Sequence, residues 1–374
     1  MKGCLNTDVS LSNNARSKKR RNDLFSQEKK RQHENIGRVE KIEVHYAGKP
    51  EDVTLVMNKD ISTPFNCAQH MSEMLMRRSA LALVDKTLWD MHRPLESGCQ
   101  LELLHFKDPD PYHVNKAFWR TCSFLLGAVA EKIFKDNISV KLHSFPSPNV
   151  KSGSFVYDVD IGLESWQPSE AELRIISGEM VKLCRQELKL ERLSVDSELA
   201  LEMFEDNRHK SQQIPHIASQ ISHGKYRGMK KKQYSMGFIC DKILKFLVTI
   251  TSLLIALFKL EYFKRIRKRN RFAVPWSENN KVILYRVGDH VDISRGPMVG
   301  DTSFIGRCTF TAVHKIETDQ GQFYRFQGVA LPKGFLLNHF AYGILEKRAR
   351  NLNAARFPSN TNITESYTPT AVAL

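Results

Sequence analysis

Ile61-Ser62-Thr63-Pro64-Phe65-Asn66-Cys67-Ala68 (ISTPFNCA) is the stretch on which the fold turns. Ser62 or Thr63 can cap a helix, and Pro64 suits its first position, where a missing N–H costs nothing. The helix is expected to run through Cys67, Met71, Met74 and Leu75 to Arg77-Arg78. Upstream, Lys41–His45 (KIEVH) alternates polar and apolar residues as a half-buried strand does, and a Gly48–Pro50 turn leads to a second strand, Val53–Met57. Downstream lie two more short apolar runs, Ala80–Val84 and Leu101–Phe106, separated by the Asp90–Leu95 stretch. Two strands, a helix and two strands within residues 41–106 make a compact β-grasp pattern.

Asp108-Pro109-Asp110-Pro111 signals a linker. Beyond it, Lys116–Phe134 reads as an apolar helix and Glu170–Glu187 as a charged amphipathic one. Phe155–Ile161 (FVYDVDI) alternates strongly enough to predict a half-buried strand. Residues 189–220 read as polar and helical. Later strands are expected at Arg286–Ile293, Thr309–His314 and Phe323–Leu331, then a basic helix at Ala341–Arg350. Residues 351–374 are rich in Asn, Thr, Ser and Ala and read as a disordered tail.

Among 374 residues, 56 Lys and Arg face 41 Asp and Glu, a net charge of +15. That balance favours a polyanionic partner: RNA, DNA or an anionic membrane surface. Seven scattered cysteines without a C-x-x-C argue for a reducing compartment and buried thiols. Residues 1–38 form a basic N-terminal segment with no apolar stretch of a secretory signal. Its poverty in acid, with Ser10, Ser12, Arg16 and Ser17, fits a mitochondrial transit peptide. Lys18-Lys19-Arg20-Arg21 fits equally a nuclear signal, a basic arm on RNA or a solvated tail, while residues 22–38 read as a charged helix leading into the first domain.

Several segments resemble threonyl-tRNA synthetases, in order along the chain. ISTPFNCA, Ala82–Asp85 (ALVD), Trp89-Asp90 and Leu95–Leu103 resemble the TGS domain at the front of those enzymes. Arg120–Gly127 (RTCSFLLG) resembles the first helix of their editing site, and Gly153–Asp160 (GSFVYDVD) the strand that follows. His290–Val299 (HVDISRGPMV) resembles the second editing motif, and Arg325–Ala330 (RFQGVA) a strand near the end of that domain. The resemblance covers most of residues 41–350. It implies an α+β fold: a β-grasp TGS domain over 39–108, then an editing-like α+β domain over 112–350, interrupted by an apolar and basic insertion at 224–274. The chain is also similar to mitochondrial large-subunit ribosomal proteins that carry these two domains without a catalytic one, in Arg21–Phe25 (RNDLF) and Asn115–Arg120 (NKAFWR) as well. This implies a place on the mitochondrial ribosome in the matrix. The implied partners are mitochondrial large-subunit rRNA and other proteins of that subunit, and no cofactor is implied.

The family's editing site uses H-x-x-x-H on the helix and C-x-x-x-H on the later strand and loop, a set able to bind zinc or position water. The matching positions here are Arg120, Phe124, Ser294 and Met298. Arg stays protonated, Phe neither coordinates nor transfers protons, and Ser and Met are poor zinc ligands. The scaffold around them, Leu125-Leu126-Gly127 and Arg295-Gly296-Pro297, still matches. Cys67-x-x-His70 offers at most two ligands, and no P-loop occurs. A structural role follows, with no catalytic residue; a free-standing tRNA-editing deacylase is the enzymatic rival, disfavoured by the lost motif. Candidate RNA contacts are Lys18, Lys19, Arg20, Arg21, Lys29, Lys30, Arg31, Arg77, Arg78, Lys347, Arg348 and Arg350. A solvated face is the plainer reading of each run.

A third rival is a membrane anchor through 238–263. Phe246–Phe258 (FLVTITSLLIALF) is uncharged between Lys245 and Lys259, but as a helix it reaches only about 20 Å against a hydrocarbon core of roughly 30 Å. Membrane contact through 246–258 is therefore marginal. Residues 224–274 also read as a translated intron: Gly224-Lys225-Tyr226 is encodable as GGT AAG TAT, donor-like, and Phe272-Ala273-Val274 as TTT GCA GTN, acceptor-like. A genuine loop insertion stands beside that reading, since long surface insertions are thermodynamically tolerable.

Overall fold

The computed structural model describes residues 12–49, 51–224 and 280–355. The insertion read as a membrane helix or translated intron, from residue 225 onward, lies outside them, as do residues 1–11 and 356–374. By its contacts the chain divides into one unit of residues 1–215 and 282–374 and a second of 216–281. The architecture below is that of the first. Among the described residues no helix is long and apolar enough to cross a membrane.

The first five strands form one sheet in the order β2-β1-β5-β3-β4: β1 (Lys41–Tyr46), β2 (Val53–Asn58), β3 (Leu81–Val84), β4 (Thr87–Trp89) and β5 (Cys99–Leu104). β1 and β5 run parallel and the other pairs antiparallel, as a β-grasp requires. The helix that lies on this sheet starts where the sequence places it. Thr63 and Asn66 form a reciprocal capping box, with Pro64 at the first position of α2 (Pro64–Met71). It does not run unbroken to Arg78. Ser72 is extended, with φ −166° and ψ 150°, and its hydroxyl accepts from the Leu75 N–H to cap a second helix, α3 (Glu73–Arg78). Serine competes for backbone hydrogen bonds well enough to break a helix.

The second part holds two further sheets. One is antiparallel in the order β11-β12-β7-β6, from β6 (Val140–Ser144), β7 (Phe155–Ile161), β11 (Ile305–Thr318) and β12 (Gly321–Pro332). The other orders β10-β9-β8, from β8 (Glu191–Asp196), β9 (Lys281–Val287) and β10 (His290–Ile293). The helices are α4 (Tyr112–Ile133), α5 (Glu170–Arg185), α6 (Ser197–Met203), α7 (Arg208–Gly224) and α8 (His339–Arg350). α4 packs on β7, β12 and β6, α5 on β11, and α8 on β11 and β12. Ala80 and Leu81 of the β-grasp sheet belong to the same core as α4, with Leu104 and Phe106 packed against it. Apolar burial is therefore continuous between the two parts.

Three expectations need correction. Residues 189–220 are not all helical: β8 opens them, because Leu193 and Val195 both bury on one strand face within a charged run. β7 is not half-buried; both its faces are covered, and Asp158 is 1% exposed. Its carboxylate takes a two-point contact from Arg325 of β12, at 2.7 and 2.8 Å. Third, the tail does not begin at 351. Arg325 donates to the carbonyls of Asn353 and Ala355, Gln327 donates to those of Ala349 and Asn351, and the Asn353 amide donates to Ser154 O. Residues 351–355 are thus held against β7 and β12.

The N-terminal helix also differs from expectation. α1 (Asn13–Glu34) starts at the cap Ser12 and packs on β8, β10 and α6, so it belongs to the second part of the fold and does not simply lead into the first. Phe25, fully buried, and Arg21, 7% exposed, are its anchors. Lys18–Arg21 accordingly lie on an ordered helix rather than a solvated tail.

Candidate functional site

Arg120 and Phe124 sit one turn apart on α4, so they share a face. The second motif leaves β10 at Ile293 and passes through Ser294 to Val299 against that face. Arg120 Nη1 donates to Pro297 O at 2.8 Å, and Thr121 Oγ1 accepts from the Val299 N–H at 3.1 Å. Phe124 is fully buried, its ring edge-on to His290 and Tyr285 with centroids 4.9 and 6.5 Å away. Ser294 Oγ accepts from the Gly296 N–H at 3.3 Å, and Met298 is 1% exposed. The loop carrying Ser294 and Met298 thus lies against the helix carrying Arg120 and Phe124, and Phe124, Ser294 and Met298 are all buried.

The other side of this arrangement comes from the β-grasp part of the fold. Asp90 Oδ1 accepts from the Met298 N–H at 2.8 Å, and the Tyr285 hydroxyl donates to both Asp90 oxygens at 2.8 and 2.9 Å. Arg192 stands 3.7 Å away. Burial pushes the Asp90 carboxyl up from its ordinary value, while the Met298 N–H and Arg192 pull it back. Burial likewise lowers the Arg120 guanidinium, against the pull of Tyr285 and Asp90. Gly296, at φ +63°, is required here, because a Cβ would fall 1.9 Å from the Tyr285 hydroxyl.

Behind the motif lie two buried polar networks that sequence reasoning did not find. His290 donates through Nδ1 to Glu131 at 2.6 Å, and Arg21 of α1 reaches the same carboxylate at 2.9 Å. Burial works against the Glu131 charge, but Arg21 and His290 outweigh it and hold the carboxyl well below the usual range. Lys210 of α7 lies 2.5 Å from Asp292, which also takes the Tyr157 hydroxyl. The only signal in the sequence was a histidine and an aspartate on one face of the short strand HVDI. Buried charges need partners, and those partners come from α1, α4 and α7. Among the described residues no group of three or more His, Cys, Asp or Glu is arranged to hold a metal.

The basic positions divide sharply. Arg21 is buried on Glu131; Lys18 pairs with Asp289, Arg20 with Glu205 and Asp206, and Lys29 with Glu191. Lys30 pairs with Glu34 and Arg31 with Glu28 on their own helix. Arg77 pairs with Glu73, and with Arg78 and Met74 they line a shallow surface depression on α3. Arg348 donates to Lys151 O, and Arg350 lies 3.9 Å from Glu170. Lys19 and Lys347 are exposed. Arg21 in particular serves the fold, its guanidinium lying too deep to meet a phosphate.

Two buried histidines make the fold sensitive to acid. Burial lowers His92 and His143 to about 4. In the unfolded chain each binds a proton near 6.5. The folded value is the lower one, so this stability is fully present above pH 6.5 and is lost as pH falls towards about 4. The expected loss is of order 2 to 3 kcal/mol per histidine. Thermal melting between pH 7 and 4 checks it: a His92→Gln, His143→Gln double variant should show a flatter pH profile. A wild-type melting temperature constant from pH 6.5 to 4.5 would exclude the effect.

A β-grasp module packed on a second α+β part is the arrangement of a protein that carries a TGS domain. The TGS domain family matches residues 49–105. The chain is 30% identical over 168 residues to cytoplasmic threonine–tRNA ligase 1 of Rattus norvegicus, covering 43% of this chain and 22% of the ligase. It is 30% identical over 152 residues to the threonine–tRNA ligase of Thermotoga maritima, again 22% of that enzyme. It therefore spans about a fifth of those ligases. It is 47% identical over 356 residues to the large ribosomal subunit protein mL39 of Drosophila melanogaster, covering 94% of this chain and 90% of that protein. The chain belongs to the mL39 family.

Proposed function

We propose that this protein is a non-catalytic structural component of the mitochondrial large ribosomal subunit, binding rRNA and neighbouring ribosomal proteins. The observation that carries the reading is the near-full-length match to a protein named for the large ribosomal subunit. The residue types at the matching positions support the non-catalytic half: Arg120, Phe124, Ser294 and Met298 supply no group able to take a proton from water near neutral pH. RNA contact would come from Lys and Arg to phosphates without base readout. Lys19 and Lys347 are exposed, and Lys30 and Arg77 can exchange exposed, weak helical pairs for phosphate.

The test is sedimentation. Tagged protein from cells should co-migrate with mitochondrial large-subunit rRNA and be released by ribonuclease or high salt. Recovery in the cytosol alone would end the ribosomal reading. Purified protein should leave seryl-tRNA(Thr) intact at the background rate; turnover abolished by Ser294→Ala would restore the deacylase.

A further inference from the structure

Residues 333–340 (KGFLLNHF) are exposed without interruption. Leu336 is 94% exposed, Phe340 79%, and Phe335 and Leu337 about two-fifths. One turn into α8, Ile344 is 53% exposed on the stripe of Phe340. The opposite face of α8 is committed, with Tyr342 and Ala349 buried on β12. The strand end and the helix are both fixed: Lys333 N donates to Phe304 O, Asn338 caps α8 on the Ala341 N–H, and Phe335 packs edge-on to Phe106. Five large apolar side chains are therefore displayed by rigid backbone. A contiguous patch of this kind marks an interaction site, since isolated exposed residues are ordinary and clusters are not.

The rim is basic. Lys333 and His339 flank the loop, and Lys347 and Arg348 follow Ile344 on α8; the carboxylate set against them is Glu187, an exposed group 3.8 Å from Lys333 in a pair weak enough to be exchanged. The one acid in the helix, Glu346, is engaged by Thr309 and turned towards β11. We infer that this surface docks an apolar segment of a neighbouring protein whose flanks carry carboxylates. Interfaces have this anatomy, an apolar centre inside a charged rim, and charge complementarity fixes the partner's sign. RNA fits less well: Phe335 and Phe340 could stack bases and the rim could engage phosphates, but Leu336, Leu337 and Ile344 would stay wet. A bilayer fits less well too, because the five apolar residues are divided between the loop and the start of α8 and do not form the long apolar face of an interfacial helix. The inference deepens the proposed function by naming the chemistry of one protein partner, and rests on that reading for where the partner resides.

The experiment uses the full chain in cells, with a photoreactive benzophenone amino acid at Leu336 or Phe340 and, as control, at exposed Met74 of α3. Crosslinks are mapped to the residue after gradient fractionation. The expected product joins positions 336 and 340 to one protein, at an apolar residue with Asp or Glu within a few positions. Lys333→Glu with Lys347→Glu should lower its yield at least fivefold with the melting temperature unchanged. Crosslinks to RNA, lipid, a second copy or residues 356–374 of the same chain would overturn the inference, as would none, or a yield indifferent to charge reversal. If the protein sediments with large subunits but gives no such crosslink, the inference fails and the proposed function stands. The same crosslink outside ribosomal fractions does the reverse.

Discussion

Arg325→Met is expected to lower stability by about 3–5 kcal/mol, the usual consequence of leaving one member of a buried ion pair unpartnered. Arg325 is fully buried, and its guanidinium grips Asp158 at two points. Burial pushes the Asp158 carboxyl up and Arg325 pulls it down; the two-point geometry is that of a carboxylate on a guanidinium. Without Arg325 that carboxylate must either stay charged without a partner or take up a proton. The carbonyls of Asn353 and Ala355 lose their donor at the same time. For a unit of this size the melting temperature should fall by roughly 10 °C or more. Asp158→Leu combined with Arg325→Met should recover much of the loss, because apolar replacement of both partners is often neutral. A single variant within about 1 kcal/mol of the parent, or a double variant worse than the sum of the singles, would show that the pair does not act this way.

Asp90→Ala is expected to cost about 2–6 kcal/mol, from two buried donors left without an acceptor at roughly 1–3 each. Those donors are the Met298 N–H and the Tyr285 hydroxyl, and both lie on the editing-like side of the junction. The loss should therefore appear as loosening between the two parts. Protease cleavage in the Phe106–Pro111 connection should accelerate, and calorimetry should show the β-grasp transition separating from the main one. Asp90→Asn keeps an acceptor oxygen and should lose markedly less. Unchanged cleavage in Asp90→Ala would show that the apolar contacts of Phe106 with Phe118 and Phe304 hold the junction alone.

The β-grasp half was legible because each of its elements satisfies itself locally. KIEVH alternates, and Thr63-Pro64 starts a helix by hydrogen bonds within four residues. The strand pairing then follows from short connections. β4 escaped notice because three residues, Thr87–Trp89, are too few to show a period. The chemistry of Arg120, Phe124, Ser294 and Met298 is likewise a property of residue type, which the sequence states without the fold.

Sequence by itself therefore determined the order of the modules, the residue types at the four motif positions and the basic balance of the chain. Tertiary structure alone decided what packs around those positions and which charges face water. Alternation predicted a wet face for Asp158, yet Arg325, 167 residues away, makes burial tolerable. Lys18–Arg21 looked like a free basic arm, yet Phe25 and the Arg21–Glu131 pair draw the helix onto the domain. Asp90 carried no signal as the acceptor for Met298, because its donors lie 195 and 208 residues further along. The physical reason is the same in each case. Helix caps and strand periods are fixed by neighbours in the chain, but the cost of burying a charge depends on partners that only the folded chain brings within hydrogen-bond distance.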